Sequence, residues 1–415
     1  MCELQFGAPN AGKTRGAVRF IVFVVGLALL AVHCAGQAAT SPSSMRQAAL
    51  ALEQQGKNDE AEAAWRSILK IHPNNPEPYA QIGLIEARQE HYREAVPYYR
   101  KALAINPNVA GLRLNLGLAL FKAGQLKEAV PEFQLLLKSA PPTSPDNQRL
   151  TILLGMAYYG LADYPKAAPY LEQAADRDPN NLPLLLALAQ SYLWTRQYQN
   201  VLSVYHRILI LNSDSAEADM LAGEALDELK DAAGATSMFR EAVKANSKEP
   251  NAHFGLGYLL WKQERYPEAS TEFQAELVNE PDHAQSLVYL ADSYIEMNRS
   301  ADALPLLQKA VKIAPSIGLA HVDLGTIAAD AGRNDDALRE LTLAEKQMPD
   351  DVNVHWHLGK LYRAMGKKDA AKAEFDKAQT LNRTANEDLY KKMSAAGAHP
   401  EQQQQQPAPA PPADH

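Results

Sequence analysis

The stretch PEPYAQIGLIEARQEHYREAVPYYRKALAINPNV, residues 76–109, decides the fold, because its pattern returns every 34 residues. Ten such units cover residues 42–385, and four extra residues, 144–147, separate the third unit from the fourth. A period of this length indicates stacked supersecondary units that share one elongated core.

Three positions of the unit carry the pattern. The eighth residue is Gly or Ala in every unit, the twentieth is Ala in nine of ten, and the twenty-fourth is always large and apolar. The other apolar residues fall at helical spacing, which predicts two helices of roughly 13 residues joined by a turn near the fifteenth position. We expect the small residues to let the two helices approach and the bulky residue to fill the remaining gap.

Prolines and the insertion modify this pattern. A proline at position 32 ends the second helix in seven units. Pro97, Pro131, Pro169 and Pro305 fall beyond the expected first turn of their helices, so we expect those helices to start late or to bend. The inserted residues 144–147 are expected to form a surface loop, or else a slight hinge.

These residues are the signature of the tetratricopeptide repeat (TPR) family, which the chain resembles over all ten units. The resemblance implies an all-α fold. It is an α-solenoid, a right-handed superhelix of antiparallel helix pairs, with the first helices on its concave side. Proteins of this family bind other proteins, so the resemblance also implies protein partners.

The resemblance places first-helix positions 2, 5, 9, 12 and 13 on the inward face, where many residues of this chain are apolar. If these side chains are exposed, they form a groove for a partner peptide or amphipathic helix. The alternative is that position 5 packs against the adjacent first helix as ordinary core. The residues predicted to line the groove are Leu114, Phe121, Ile152, Tyr159, Leu186, Met220, Phe254, Tyr258, Trp261, Val288, Val322 and Trp356.

Acidic residues flank the later half of this face, among them Asp227, Glu228, Asp292, Glu296 and Asp323. A partner with mixed apolar and basic character would suit them, although a solvated acidic face explains them equally well. The net charge of −8 weighs against nucleic-acid binding, which needs clustered Lys and Arg.

The N-terminal 38 residues have the layout of a secretory signal peptide. A basic segment precedes the apolar run FIVFVVGLALLAV, residues 20–32, and a small-residue cleavage site follows at Ala38. The alternatives are an uncleaved membrane anchor and lipid attachment at Cys34. We therefore expect an exported bacterial protein of the periplasm or cell envelope, with membrane contact only through this segment if it is uncleaved.

The leader also contains GAPNAGKT, residues 7–14, which matches the phosphate-binding pattern GxxxxGK[ST]. That loop works only between a strand and a helix, and the sequence predicts neither here, so we interpret the match as chance. An enzyme that uses Lys13 to bind nucleotide remains a remote alternative.

At the other end, residues 384–387 form a capping box that predicts a separate C-terminal capping helix, 386–397. Residues 398–415 are rich in Gln and Pro and are predicted to be a disordered tail.

Catalytic and metal-binding patterns are not found. The only cysteines, Cys2 and Cys34, lie near the N-terminus, and His253, His321 and His355 occupy a position where a packing residue is expected. We expect no catalytic residues, no cofactor and no metal site. The sequence favours a non-enzymatic scaffold for protein–protein interaction, with a subunit of a polysaccharide or protein export machine as the alternative.

Overall fold

The computed structural model of the protein describes residues 41–396, with side chains as far as Thr384. This part of the chain contains twenty helices and no strand, which confirms the all-α prediction. It divides between Thr195 and Arg196 into two compact units.

Nine helices form the first unit. They are α1 (Pro42–Gln54), α2 (Asn58–Ile71), α3 (Pro76–Arg88), α4 (Tyr92–Ile105), α5 (Leu112–Lys122), α6 (Leu126–Ser139), α7 (Pro145–Gly160), α8 (Tyr164–Arg177) and α9 (Leu182–Trp194).

Eleven helices form the second unit. They are α10 (Tyr198–Leu211), α11 (Ala216–Glu228), α12 (Ala232–Ala245), α13 (Ala252–Lys262), α14 (Tyr266–Asn279), α15 (Ala284–Glu296), α16 (Ser300–Ile313), α17 (Gly318–Asp330), α18 (Asn334–Gln347), α19 (Val352–Ala364) and α20 (Lys368–Ala396).

Odd-numbered helices are the first helices of the repeats and even-numbered helices are the second. Within each unit every helix packs against the next one along the chain, and most neighbouring first helices also touch each other. This is the predicted solenoid of helix pairs.

The predicted contact between positions 8 and 24 holds each pair together. An ideal Cβ placed on Gly117 would lie 2.6 Å from Cε1 of Phe133, and one on Gly257 would lie 2.8 Å from Cε1 of Phe273. Both rings are fully buried, so the glycines leave the space that the rings fill. The same relation joins Gly83 with Tyr99, Gly155 with Leu171, Gly223 with Phe239, Gly325 with Leu341 and Gly359 with Phe375.

The turn inside each repeat always has one residue in the left-handed region, at position 15. Four of the ten residues there are glycine, as at Gly124, where φ is 75°. The other six are not, as at Ala162, where φ is 55°. A left-handed residue closes the C-terminus of the first helix and starts the return of the chain. The fixed geometry of the turn therefore outweighs the cost of about 1 kcal/mol for a residue that has a Cβ.

The four internal prolines do not delay their helices, contrary to our expectation. Pro97, Pro131, Pro169 and Pro305 are the sixth residues of helices that begin at the same position as all other second helices. Each proline is exposed, so water can bind the carbonyl group that loses its helical partner.

The inserted residues also differ from the expected loop. Residues 145–147 form the first turn of α7, and the Oγ of Ser144 caps the helix by accepting a hydrogen bond from the backbone N–H of Asn147 at 3.1 Å. The insertion therefore lengthens a helix to 16 residues.

A separate capping helix at 386–397 is not observed, because α20 runs without a break from Lys368 to Ala396. The hydroxyl of Thr384 donates to the carbonyl of Thr380 at 3.0 Å, one helical turn back, instead of capping a new helix. The predicted leader, residues 1–38, and the predicted tail, 398–415, lie outside the described residues. Within residues 41–396 no helix is both long and apolar enough to span a bilayer.

Replacing Gly257 by Ala tests the contact between positions 8 and 24. We expect the variant to lose about 1–2 kcal/mol of unfolding free energy, after the better helix propensity of alanine has offset about 1 kcal/mol. Adding Phe273→Leu should recover part of that loss, because the next repeat pairs Ala291 with Leu307 at these positions. Urea denaturation of the wild type, both single variants and the double variant measures the coupling, and strictly additive effects would contradict the contact.

Candidate functional site

The first unit leaves apolar side chains partly exposed on its first helices. Leu114 and Phe121 on α5, Ile152 and Tyr159 on α7, and Leu186 on α9 are all half-buried. The hydroxyl of Tyr159 donates to Oε1 of Gln190 on the neighbouring first helix at 3.1 Å.

The sequence analysis did not name Trp194, which extends this face. Its side chain is 63% exposed and stacks on Tyr164, with the ring centroids 5.6 Å apart. Trp194 stands at position 13 of its repeat, so the inward positions given by the family would have found it.

In the second unit the predicted groove residues divide into two groups. Met220, Phe254, Tyr258 and Trp261 are half-buried, and Trp356 is 52% exposed. By contrast, Val288 and Val322 are only 0% and 5% exposed and belong to core clusters. Position 5 lies at the edge of the interface between neighbouring first helices, so short side chains end in the core and long ones reach past it.

Four rings of the second unit form an aromatic cluster, which we define as Phe254, Tyr258, Trp261 and Tyr289. The ring centroid of Tyr289 lies 5.3 Å from that of Tyr258 and 5.0 Å from that of Trp261, both edge-to-face. The ring of Phe254 lies 6.2 Å from Tyr258 and 6.0 Å from Tyr289. Aromatic pairs at these distances attract one another beyond the area they bury, so the cluster is a firm part of the surface.

Tyr289 was not predicted, because it lies at position 6 of its repeat. The signal that would have found it is a spacing of 31 residues, one repeat less one helical turn. Tyr258 with Tyr289, Trp261 with Asp292, and Thr326 with His357 all touch across neighbouring first helices at this spacing.

Only part of the predicted acidic set is paired. Asp227 binds the Nζ of Lys262 at 2.7 Å, and Glu228 accepts a hydrogen bond from the Tyr198 hydroxyl at 3.4 Å. Asp292 accepts a hydrogen bond from Nε1 of Trp261.

Asp292 and Asp323, 31 residues apart on α15 and α17, are both buried. Burial is the main cause that raises the pKa of Asp292, to about 6, and the charge of Glu296 raises it further. Burial also raises the pKa of Asp323 well above its ordinary value, and the charges of Asp292 and Glu296 add to this. Oδ2 of Asp323 has no hydrogen-bond partner. These carboxyls therefore oppose the folded state when they are ionised.

The histidines at position 4 are packing residues, as predicted, but each also pairs with a glutamate at position 23. Nδ1 of His355 lies 2.7 Å from Glu374, and the same contact joins His253 with Glu272 and His321 with Glu340.

Glu345, His355 and Glu374 were not foreseen as a group. Their potential ligand atoms lie within 4.8 Å of one another, close enough to surround a metal ion. Nε2 of His355 already faces the carbonyl of Pro349 at 2.8 Å, and its Nδ1 faces Glu374. A metal ion would therefore have to displace a hydrogen bond, and the contacts fit a structural role.

Asp292→Asn should change how stability depends on pH. In the wild type the folded carboxyl holds its proton up to about pH 6, whereas an unfolded aspartate loses it near pH 4. The unfolding free energy therefore falls as the pH rises through this window. The variant should match the wild type near pH 4 and exceed it by about 2 kcal/mol at pH 8, measured by urea denaturation. Asp335→Asn, which removes an exposed carboxyl from a second helix, is the control and should not reproduce the effect. A difference that does not change with pH would contradict the burial of Asp292.

Models of known families match most of the described chain. A model described as tetratricopeptide repeat matches residues 80–145, 228–278, 254–317 and 322–386, more than half of the chain. Two further models with the same description match residues 158–225 and 43–75. No functionally curated protein matches the chain significantly.

Several solved structures are similar to the chain. A tetratricopeptide repeat protein from Parabacteroides merdae ATCC 43184 shares 19% identity over 64% of this chain and 97% of that one, with a TM-score of 0.46. YrrB, described as a TPR protein with an unusual peptide-binding site, shares 21% over 46% and 97%, with a TM-score of 0.36. MamA shares 17% over 42% and 94%, with a TM-score of 0.37. From the paired helices and the matched residues together, we conclude that the chain belongs to the tetratricopeptide repeat family.

Proposed function

We propose that this protein is a non-enzymatic scaffold that binds segments of partner polypeptides along its first helices. The family fold is one that serves protein–protein interaction. The observation that carries the proposal is the row of large apolar side chains left partly exposed on successive first helices, from Phe121 to Trp194 in one unit and from Phe254 to Trp356 in the other. Such rows are the surfaces on which extended or helical peptides dock.

The second helices do not offer a comparable row. Ile210 and Val278 are 84% and 80% exposed, but they lie on α10 and α14, two repeats apart. Isolated apolar residues of this kind are normal on protein surfaces. They therefore provide controls for the first-helix face.

We also propose that the protein acts in the cell envelope of a bacterium. The support is the order of basic, apolar and small residues in positions 1–38 of the sequence. A scaffold there would recruit partners outside the cytoplasm, and the solenoid would tolerate an oxidising compartment because residues 41–396 include no cysteine.

A random peptide library displayed on phage tests the binding function directly. Peptides enriched on the full chain should bind at least tenfold more weakly to Trp356→Ser or to Phe121→Ser, because each variant removes an apolar contact from one of the two first-helix faces. They should bind normally to Val278→Ser, a matched control that removes an exposed apolar side chain from a second helix. Circular dichroism confirms that each variant is folded. The proposal fails if no peptide is enriched, or if all three variants bind like the wild type.

Sequencing the N-terminus of the protein from its native cell tests the location. We expect the mature chain to begin at Ala39 and to be recovered in the cell-envelope fraction, since signal cleavage follows a small residue. A chain that begins at Met1 in the membrane fraction would indicate an uncleaved anchor, and one that begins at a modified Cys34 would indicate a lipoprotein. A chain that begins at Met1 in the cytosol would exclude export.

A further inference from the structure

A recess in the second unit combines aromatic walls with unpaired negative charge. Tyr258 and Trp261 on α13 and Tyr289 on α15 form the walls, and Asp292 on α15 and Asp323 on α17 provide the carboxyls. The 31-residue spacing that joins Trp261 to Asp292 also separates Asp292 from Asp323, so the two carboxyls face each other across neighbouring helices.

Nothing in the described part of the chain neutralises this charge. No ion pair joins Asp292, Asp323 or Glu296 to a Lys, Arg or His among the described residues. Asp323 is 6% exposed, and its Oδ2 lacks a hydrogen-bond donor. A buried carboxyl oxygen without a partner is rare in folded proteins and indicates a missing group.

The other titratable groups around the pair cannot supply that charge. Tyr266 on α14, Tyr289 and Glu296 interact electrostatically with Asp292, and none of them is cationic. The nearest described cation, Lys262, is held by Asp227 on α11 and lies 5.6 Å from the centre of the Tyr258 ring. That contact shows that a ring of this cluster can accept a cation on its face.

The surroundings favour an organic cation over a metal ion. A calcium ion takes six to eight oxygen ligands, whereas here one carboxyl oxygen is already occupied by the N–H of Trp261 and the neighbours are rings. A lysine or arginine side chain can instead lay its methylene groups against the rings and place its charged head at the carboxyls.

We propose that this recess binds the lysine or arginine side chain of a partner polypeptide. The inference rests on the proposed function and gives the partner a chemistry: a basic side chain beside apolar ones. The bound cation supplies the donors that Asp323 lacks and removes the charge repulsion between the two carboxyls.

Small probes test the recess without any partner. The full chain is titrated with N-acetyl-lysine N-methylamide, with the arginine analogue, and with the neutral glutamine analogue, while KCl keeps the ionic strength constant. We expect a saturable change in tryptophan fluorescence and a rise in melting temperature with the two basic probes only. Affinity should increase from pH 5 to pH 8, because the cation competes with protons for the carboxyls.

Variants assign the binding to the carboxyl pair. The double variant Asp292→Asn and Asp323→Asn, which keeps side-chain size, should weaken the basic probes at least tenfold, each shift being measured from the variant's own melting temperature. Asp335→Asn removes one charge from an exposed second-helix site and should bind like the wild type. Equal binding of the glutamine probe, unchanged affinity in the double variant, or stronger saturation by calcium chloride would each overturn the proposal.

Peptides selected from the library separate this inference from the proposed function. Changing each Lys or Arg of a selected peptide to Gln should reveal one position that costs at least tenfold on the wild type and little on the double variant. Peptides that bind without such a position would overturn the recess and leave the scaffold function standing. Saturable binding of the basic probes with no selected peptide would support the recess and reject peptide binding.

Discussion

The close approach of the two helices in each repeat depends on the contact between positions 8 and 24. A glycine or alanine on the first helix leaves a gap of one side chain, and a buried ring or leucine from the second helix fills it. Interiors packed at this density tolerate neither a larger residue at one position nor a smaller one at the other. Because this contact fixes one side of every first helix, the opposite side is free to vary, and the exposed aromatic residues lie there.

The repeating part of the fold could be predicted from the sequence because it is stated ten times. Helix pairing, the turn at position 15 and the buried alanines at position 20 are all observed, since each follows from local spacing and residue size. The errors came where tertiary packing overrides a local rule. Pro97 does not delay its helix because its exposed position lets water replace the lost hydrogen bond, and the turn after α7 accepts Ala162 with a positive φ.

The binding face was harder to predict, because it depends on how one repeat is offset from the next. Position 5 alone does not distinguish Val322, which is buried, from Trp356, which is half exposed, since side-chain length decides which of them reaches the surface. Tyr289 escaped notice for a related reason. Its partner Tyr258 lies 31 residues earlier, an offset set by the stacking of helices rather than by the 34-residue period.

That offset also shows why the carboxyl pair is unusual. At the same spacing in other repeats the structure satisfies both partners: Tyr159 donates to Gln190, and Thr326 lies 3.1 Å from Nδ1 of His357. Asp292 and Asp323 bring two acceptors together where a donor and an acceptor would serve. A repeat array needs no such pair, because asparagine or an apolar residue in either place would keep the packing and remove the repulsion. Selection for stability alone would eliminate this arrangement, whereas binding a cation converts the same two carboxyls into a stabilising contact.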